Sequence, residues 1–354
     1  MPNKYIYCIG LMSGTSLDGI DIAYIKINNN SYQDFEIIQA ETFTYSKKWK
    51  DILREAIFYT KENLKKLDIE YGKLLGALLN DFIDKYKVSK LDFIASHGHT
   101  ILHEPHNGVT LQIGNGQEIA KITNKKIICD FRTQDVDFGG QGAPLVPIGD
   151  KLMFSNYSHC LNLGGFANVS FEKNNARIAF DICPVNIVLN HYTNKLGFEF
   201  DDRGQMASGG KVNEELLEKL NSLEFYQKTP PKSLGLEWVQ QNVFPLIDDL
   251  EKNIETILRT FVEHAAIQIG TVLNESSTVL VTGGGIFNSF LMQRIEYYSS
   301  KKIEIPSKEL IEYKEALIFA FLGLLKNKNE INCLQSVTGA VRDHSSGVIF
   351  YPEK

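Results

Sequence analysis

Two apolar, strand-like runs, Tyr5–Gly10 and Ile20–Ile27, are joined by a turn rich in glycine and hydroxyl residues. The stretch Gly10–Asp21 reads GLMSGTSLDGID. Such a β-turn-β unit offers backbone N–H groups and the hydroxyls of Ser13, Thr15 and Ser16 to an anion. It also sets the carboxylate of Asp18 where a metal ion accompanying that anion would sit. A polyphosphate suits this chemistry. Gly14 and Gly19 are spaced as in a Walker A loop, but Ile20 and Asp21 stand where that loop needs Lys and Ser or Thr. A Rossmann fingerprint is excluded as well, because a strand follows the turn where that motif has a helix. The competing reading is a Gly/Ser-rich hairpin with no ligand.

The opening theme returns in mid-chain. Strands are expected at Tyr5–Gly10, Ile20–Ile27 and Phe35–Phe43, then helix from about Lys48 to Tyr86, where Leu64, Leu67, Tyr71, Leu74, Leu75 and Leu78 keep helical spacing. Further strands are expected at Leu91–Ala95, Val109–Ile113 and Lys126–Phe131, with a short helix at Gly116–Thr123. A Gly/Pro-rich connection, Arg132–Pro147, has little regular patterning and reads as a functional crossover between domains. Beyond it come strand Cys160–Leu163, a tight turn at Gly164–Gly165, strands Ala167–Phe171 and Arg177–Cys183, and helix Val185–Leu196. Two halves that each run strand, glycine turn, strand, strand, helix predict an internal duplication. Helix Ile254–Leu273, strand Thr278–Thr282, the run Gly283–Gly285, a helix from near Asn288, strand Lys302–Ile305 and helix Glu309–Lys326 complete the pattern. A strand, three glycines and a helix start would let backbone approach a flat ligand closely.

With 354 residues the chain is too long for one ordinary core and suits two domains. A net charge of -6 and no dense basic cluster exclude a nucleic-acid-binding surface. The apolar stretch Ala316–Leu325 is far short of a membrane span, and the chain enters a strand almost at once, so neither a membrane anchor nor a signal peptide is expected. Five cysteines without a CxxC pair read as reduced, buried thiols in the cytoplasm. A dehydrogenase is excluded, since GNGQEI at Gly114–Ile119 lacks the third glycine. Four histidines, His97, His99, His103 and His106, have spacing that invites a zinc reading, but no cysteine or carboxylate cluster completes the set beyond Glu104.

The motifs GLMSGTSLDGID, SHGHT (Ser96–Thr100), TLQIGNG (Thr110–Gly116), DFRTQDVDFGGQGAPLVP (Asp130–Pro147), LNLGGFANVS (Leu161–Ser170), AFDICPVN (Ala179–Asn186), PPKSLG (Pro230–Gly235), VTGGGIFN (Val281–Asn288) and SVTGA (Ser336–Ala340) occur in this order. In these the chain resembles the anhydro-N-acetylmuramic acid kinases, members of the actin/hexokinase/Hsp70-like phosphotransferase superfamily, over almost its full length. The resemblance implies an α/β fold of two actin-like (ribonuclease H-like) ATPase domains flanking a nucleotide and sugar cleft. The first domain would hold residues 1–131 plus about 339–354, the second residues 132–338. It also implies ATP and Mg²⁺ as cofactors, a small amino sugar as substrate, a homodimer, and a cytoplasmic place in recycling cell-wall sugars.

Roles follow by resemblance. Asp181 matches the catalytic base that draws a proton from water, and Glu315 a glutamate near sugar and base. Gly14, Thr15, Ser16, Leu17, Asp18 and Gly19 would hold the β- and γ-phosphates, with Asp18 near Mg²⁺. Gly164 and Gly165 would face the phosphates from the second domain. Gly283, Gly284 and Gly285 would lie against adenine or ribose, with Asn288 capping the next helix. His97, Arg132 and Asn186 would meet the sugar. One departure stands out: the family commonly reads DTGPGN where this chain reads DICPVN, so Ile182, Cys183 and Val185 replace a hydroxyl and two glycines. That departure predicts a variant pocket, and it keeps two alternatives in view: a same-fold kinase for another amino sugar or anhydrosugar, and a non-catalytic sensor.

Overall fold

The computed structural model describes residues 4–14, 17–301 and 303–353. Its strands are β1 (Tyr5–Ser13), β2 (Ile20–Asn28), β3 (Phe35–Phe43), β4 (Phe93–Glu104), β5 (Val109–Ile113), β6 (Ile127–Cys129), β7 (His159–Leu163), β8 (Phe166–Lys173), β9 (Ala176–Pro184), β10 (Val279–Thr282) and β11 (Val348–Phe350). The fold is mixed α/β, and the chain divides into two compact units, Met1–Met153 with Tyr313–Lys354, and Phe154–Glu312.

In the first unit the sheet order is β11-β6-β4-β1-β2-β3, with β5 added on β4. Short links make β1, β2 and β3 an antiparallel meander, whereas the long helical excursion before β4 returns it parallel to β1. The helical run expected over 48–86 is two helices, Lys47–Glu55 and Lys61–Lys85. Ser46 and Thr60 begin them by accepting from the N–H groups of Trp49 and Asn63. The second presents Leu64, Leu67, Tyr71, Leu75, Leu79 and Phe82 to a core shared with Ile9, Leu11, Ile20 and Ile22.

Helix Lys308–Asn327 lies against the same sheet. A Cβ on Gly10 of β1 would fall 1.9 Å from the carbonyl oxygen of Ala316, and one on Gly323 would fall 2.7 Å from Cβ of Ala95 in β4. The helix is also held to helix Val146–Met153, where Lys314 Nζ lies 2.7 Å from Asp150 Oδ1 and both side chains are buried. Gly10→Ala is therefore expected to cost about 3 kcal/mol, the upper end of overpacking, read as a fall in the urea midpoint. An unchanged midpoint would mean that the helix is not seated on β1.

The second unit repeats the opening arrangement. β7, β8 and β9 form an antiparallel meander and β10 runs parallel to β7, giving β10-β7-β8-β9, just as β4 flanks the meander β1-β2-β3. Helix Ile254–Leu273 supplies Leu258, Phe261, Ala265 and Ile269 to its core.

Several boundaries differ from the expected ones. Residues 132–153 and 313–338, expected in the second domain, pack with the first unit, because Gly149, Gly10 and Gly323 seat both helices there. The connection expected to be irregular contains helix Thr133–Asp137 and the start of helix Val146–Met153. The strand expected at 302–305 includes Lys302, outside the described residues, and leaves a single parallel bridge from Glu304 to Leu280. Among the described residues no helix is long and apolar enough to cross a membrane.

Candidate active site

Asp181 sits near the end of β9, where the ladder with β8 slips. Asn168 pairs with Asp181 and Ala167 with Cys183, so Ile182 is the extra residue of a β-bulge. Bulges re-aim side chains, and this one leaves Asp181 half-buried. Its own N–H donates to the carbonyl of Lys232 (3.1 Å), and its Oδ2 accepts from the N–H of Leu234 (2.8 Å). Among the described residues Oδ1 accepts no hydrogen bond. Lost solvation pushes the carboxyl above the ordinary aspartate range, opposed by the bond from Leu234. The segment 230–235 thus acts through its backbone. The Lys232 side chain is engaged elsewhere, donating to the carbonyl of Phe225 (3.2 Å). The available signal was the pair Pro230–Pro231, which restricts a loop before it can serve as a clamp.

Residues 182, 183 and 185 do not line a variant pocket. Ile182, Cys183 and Val185 are buried among Val188, Ala265 and Ala266 in the second unit's core, so the departure from the family pattern is absorbed in packing. Burial also pushes the Cys183 thiol up, away from a nucleophilic thiolate. The turn beside it is tied to the next helix: Gly165 O accepts from the N–H groups of Val185 (2.8 Å) and Ile187 (3.3 Å), and Gly164 O accepts from that of Asn186 (3.3 Å). Asn186 opens helix Asn186–Asn194 and is half-buried.

Glycines sort into two kinds by what a side chain would meet. Gly283 has φ 88° and its Cβ would lie 2.7 Å from the Leu163 carbonyl oxygen, while that of Gly285 would lie 2.8 Å from Leu163 Cβ. These two are required by packing against β7. Gly284 has nothing within 4 Å, and the nearest atoms to a Cβ on Gly164 and Gly165 are at 3.5 and 3.8 Å. The fold does not demand glycine there, so those three positions keep open space that a ligand could enter. Asn288 caps helix Ser289–Ser299, its Oδ1 accepting from the N–H of Leu291 (3.0 Å).

In the first turn, Thr15 and Ser16 lie outside the described residues. Gly14 O accepts from the N–H of Leu17 (3.4 Å), Leu17 has φ 61° and a buried side chain, and Asp18 is exposed. Gly19 is structural, since a Cβ would fall 2.7 Å from Thr42 Cγ2. Ser13 does not face an anion. Its Oγ is buried against Tyr71 Oη (2.9 Å), Gly98 O (3.2 Å) and His99 Nδ1 (3.2 Å), and Tyr45 hydrogen-bonds Tyr71 behind it. This polar cluster braces the turn from below, a role that the hydroxyl's sequence context did not reveal.

His97 and Arg132 form one unit. The Nδ1–H of His97 donates to Gly98 O (3.0 Å), so Nε2 is the acceptor for Arg132 Nε (3.1 Å) and Nη2 (2.9 Å). Burial first, then the Arg132 charge, holds His97 neutral, well below its ordinary range. His97, expected at the sugar, is 5% exposed with both nitrogens engaged inside the protein, so it orients Arg132. Arg132 also donates Nη1–H to Gly142 O (2.6 Å). Burial lowers its pKa to about 10, opposed by Glu315, Cys333 and Asp135, so the guanidinium stays charged. Glu315 is exposed to solvent, yet protein mass around it raises its carboxyl. Arg132 and Lys314 pull it down and Asp21 pushes it up. His99 is pushed down to about 4 by burial and His103 bonds Thr110. Among the described residues none of the four histidines belongs to a metal-ligand group.

The family model for anhydro-N-acetylmuramic acid kinase matches residues 6–352. The chain is 33% identical over 376 residues to the anhydro-N-acetylmuramic acid kinase of Haemophilus influenzae, covering 97% of each. To that of Sulfurimonas denitrificans it is 31% identical over 375 residues, covering 97% of this chain and 99% of the relative. Among solved structures, the activator of the 2-hydroxyisocaproyl-CoA dehydratase from Clostridium difficile aligns at a TM-score of 0.44 and 12% identity, over 91% of this chain and 97% of that one. A match that begins in β1 and runs past β11 takes in both units, and the chain belongs to the anhydro-N-acetylmuramic acid kinase family.

Proposed function

We propose that this chain opens 1,6-anhydro-N-acetylmuramic acid with water and phosphorylates the oxygen released, using ATP, to give N-acetylmuramic acid 6-phosphate and ADP. Water attacks the anomeric carbon, the bond from that carbon to the bridging oxygen breaks, and that oxygen, now O6, takes the γ-phosphoryl group. Asp181 accepts the proton from water. The observation that carries this reading is its geometry: one carboxylate oxygen is fixed by the Leu234 N–H, and the other is unused within the described protein. Glu315 helps to orient the attacking water. Arg132, preset by His97 and Gly142, pairs with the sugar's carboxylate, and Asn186 adds a contact to the sugar.

The candidates for holding phosphate are, in the first unit, the turn Gly14–Gly19 and, in the second unit, the open glycines Gly164, Gly165 and Gly284. Asp18 is an exposed carboxylate on that turn, a donor that suits the hard cation Mg²⁺. When bound, Mg²⁺ would neutralise phosphate charge. The five free thiols, all buried, fit a reducing cytoplasmic setting. Because the unusual DICPVN side chains are core residues, they give no reason to prefer a different sugar.

The test is turnover in ¹⁸O-water with Mg-ATP and the anhydrosugar. One ADP per sugar phosphate, with label at the anomeric carbon and none in the phosphate, is expected. ATP hydrolysis that ignores the sugar, or a higher kcat/KM for another amino sugar, overturns the reading. Gly284→Ala should keep stability within about 0.5 kcal/mol yet raise the KM for ATP roughly tenfold, a loss of about 1.4 kcal/mol. Gly283→Ala should instead destabilise by about 1–3 kcal/mol.

The raised Asp181 carboxyl fixes the sign of the pH response. Folding favours its protonated form, so the stability it adds is complete below the ordinary aspartate value of about 3.9 and is lost as pH rises through the folded value. Activity runs the other way, because a base must be ionised. The acid limb of kcat/KM is expected above about pH 3.9. A limb assigned to Asp181 at or below that value contradicts the burial argument.

A further inference from the structure

The end of the first unit closes on the loop after β6 through one buried polar cluster that the proposed reaction does not use. Asp135 of helix Thr133–Asp137 has no exposed surface. Its Oδ2 accepts from the Gly142 N–H (2.7 Å), and its Oδ1 accepts from Thr338 Oγ1 (2.7 Å) and Cys333 Sγ (3.0 Å). His344 turns Nε2 toward the same Oδ1 at 3.5 Å. The ligand atoms of Asp135, Cys333 and His344 all lie within 4.8 Å of one another, and all three residues are buried.

The histidine's hydrogen bonds make this more than a cluster. His344 Nδ1 is 3.1 Å from the carbonyl oxygen of Arg342, which can only accept, so Nδ1 carries the proton. Nε2 is then the ring nitrogen left to face Asp135. It is buried, has no hydrogen-bond partner among the described residues, and lies 3.5 Å from the Asp135 carboxylate oxygen. Together with Cys333 Sγ, that nitrogen and that oxygen place three donor atoms around one buried point, where a cation would be held by all three. A backbone carbonyl that holds Nδ1–H is also the outer partner that orients metal-bound histidines.

We propose that Asp135, Cys333 and His344 bind a structural zinc ion. Sulfur, nitrogen and oxygen donors together suit zinc, whereas Mg²⁺ and Ca²⁺ select oxygen alone. Binding replaces the thiol proton, which leaves to solvent as the sulfur–zinc bond forms. The Thr338 hydroxyl or a water fills the fourth position. The ion ties residues 333 and 344 to 135. Its effect reaches Arg132, because Gly142 binds Asp135 through its N–H and Arg132 through its carbonyl.

The full chain, stripped with chelator and dialysed, is titrated with Co²⁺ and then Zn²⁺. One equivalent of Co²⁺ is expected, with a thiolate-to-cobalt absorption band in the near ultraviolet that one equivalent of Zn²⁺ abolishes. Cys333→Ser should lose that band. If the serine variant does not fold, His344→Gln keeps a polar side chain there and should weaken Co²⁺ binding while retaining the sulfur band. No thiolate band in the wild type, or a band that persists in folded Cys333→Ser, overturns the site.

Discussion

Asp181→Asn is expected to lower sugar-dependent ADP release by about 10²–10⁴-fold, the range for losing a positioned general base. Asparagine is nearly the same size, and its carbonyl oxygen can still accept from the Leu234 N–H that now holds Oδ2. The change therefore removes the proton acceptor and little else. It also removes a charge that burial disfavours, so the variant should unfold at the same or a higher temperature than the wild type at neutral pH. Activity lost together with stability would point to misfolding. A loss of less than about tenfold, far below that of a general base, would take Asp181 out of the proton transfer.

Lys314→Ala is expected to cost about 3–5 kcal/mol, because it strands a carboxylate in the protein interior. Lys314 and Asp150 are 2.7 Å apart, with side chains 6% and 5% exposed. The pair joins helix Lys308–Asn327 to helix Val146–Met153. The double change Lys314→Met with Asp150→Leu removes both charges and keeps much of the volume, so it should recover most of the loss. Denaturant titration of the two singles and the double gives the answer directly. A loss below about 1 kcal/mol in the single variant would make the pair equivalent to a surface ion pair. Function should respond too: Lys314 is one of two cations that hold the Glu315 carboxyl down. Removing it should let that carboxyl rise further, moving any Glu315-dependent limb of the pH profile upward.

What was legible in the sequence was whatever a short window encodes. The alternation of Ile20, Ile22, Ile25 and Ile27 located β2, and leucines at helical spacing located helix Lys61–Lys85. The turn glycines marked both meanders, and Asn288 announced its cap. Contacts between distant segments were not legible. Nothing near Gly10 says that the Ala316 carbonyl will lie against it, so helix Lys308–Asn327 was assigned to the wrong side of a boundary. The three glycines at 283–285 look alike in sequence, yet only the contacts of Leu163 separate the two that packing requires from the one it leaves open. Ser13 and His97 are residue types that bind ligands, and both are spent on internal hydrogen bonds whose partners are 58 and 35 residues away. The bulge at Ile182 was invisible because a bulge is a property of two strands.

The first unit is built from two stretches of chain, and this fixes an order of events on the ribosome. When residue 312 has been made, the second unit, Phe154–Glu312, is complete in sequence. The first unit at that moment lacks the helix that covers Gly10 and the strand β11 that pairs with β6. Its sheet therefore waits with one apolar face bare and one edge unpaired, although its N-terminal strands emerged earliest. Domains fold as units during synthesis, so the later-made unit is the one that matures first. Chains halted before residue 313 should yield a protease-resistant Phe154–Glu312 fragment, while Tyr5–Ser13 stays open to cleavage until the last helix arrives.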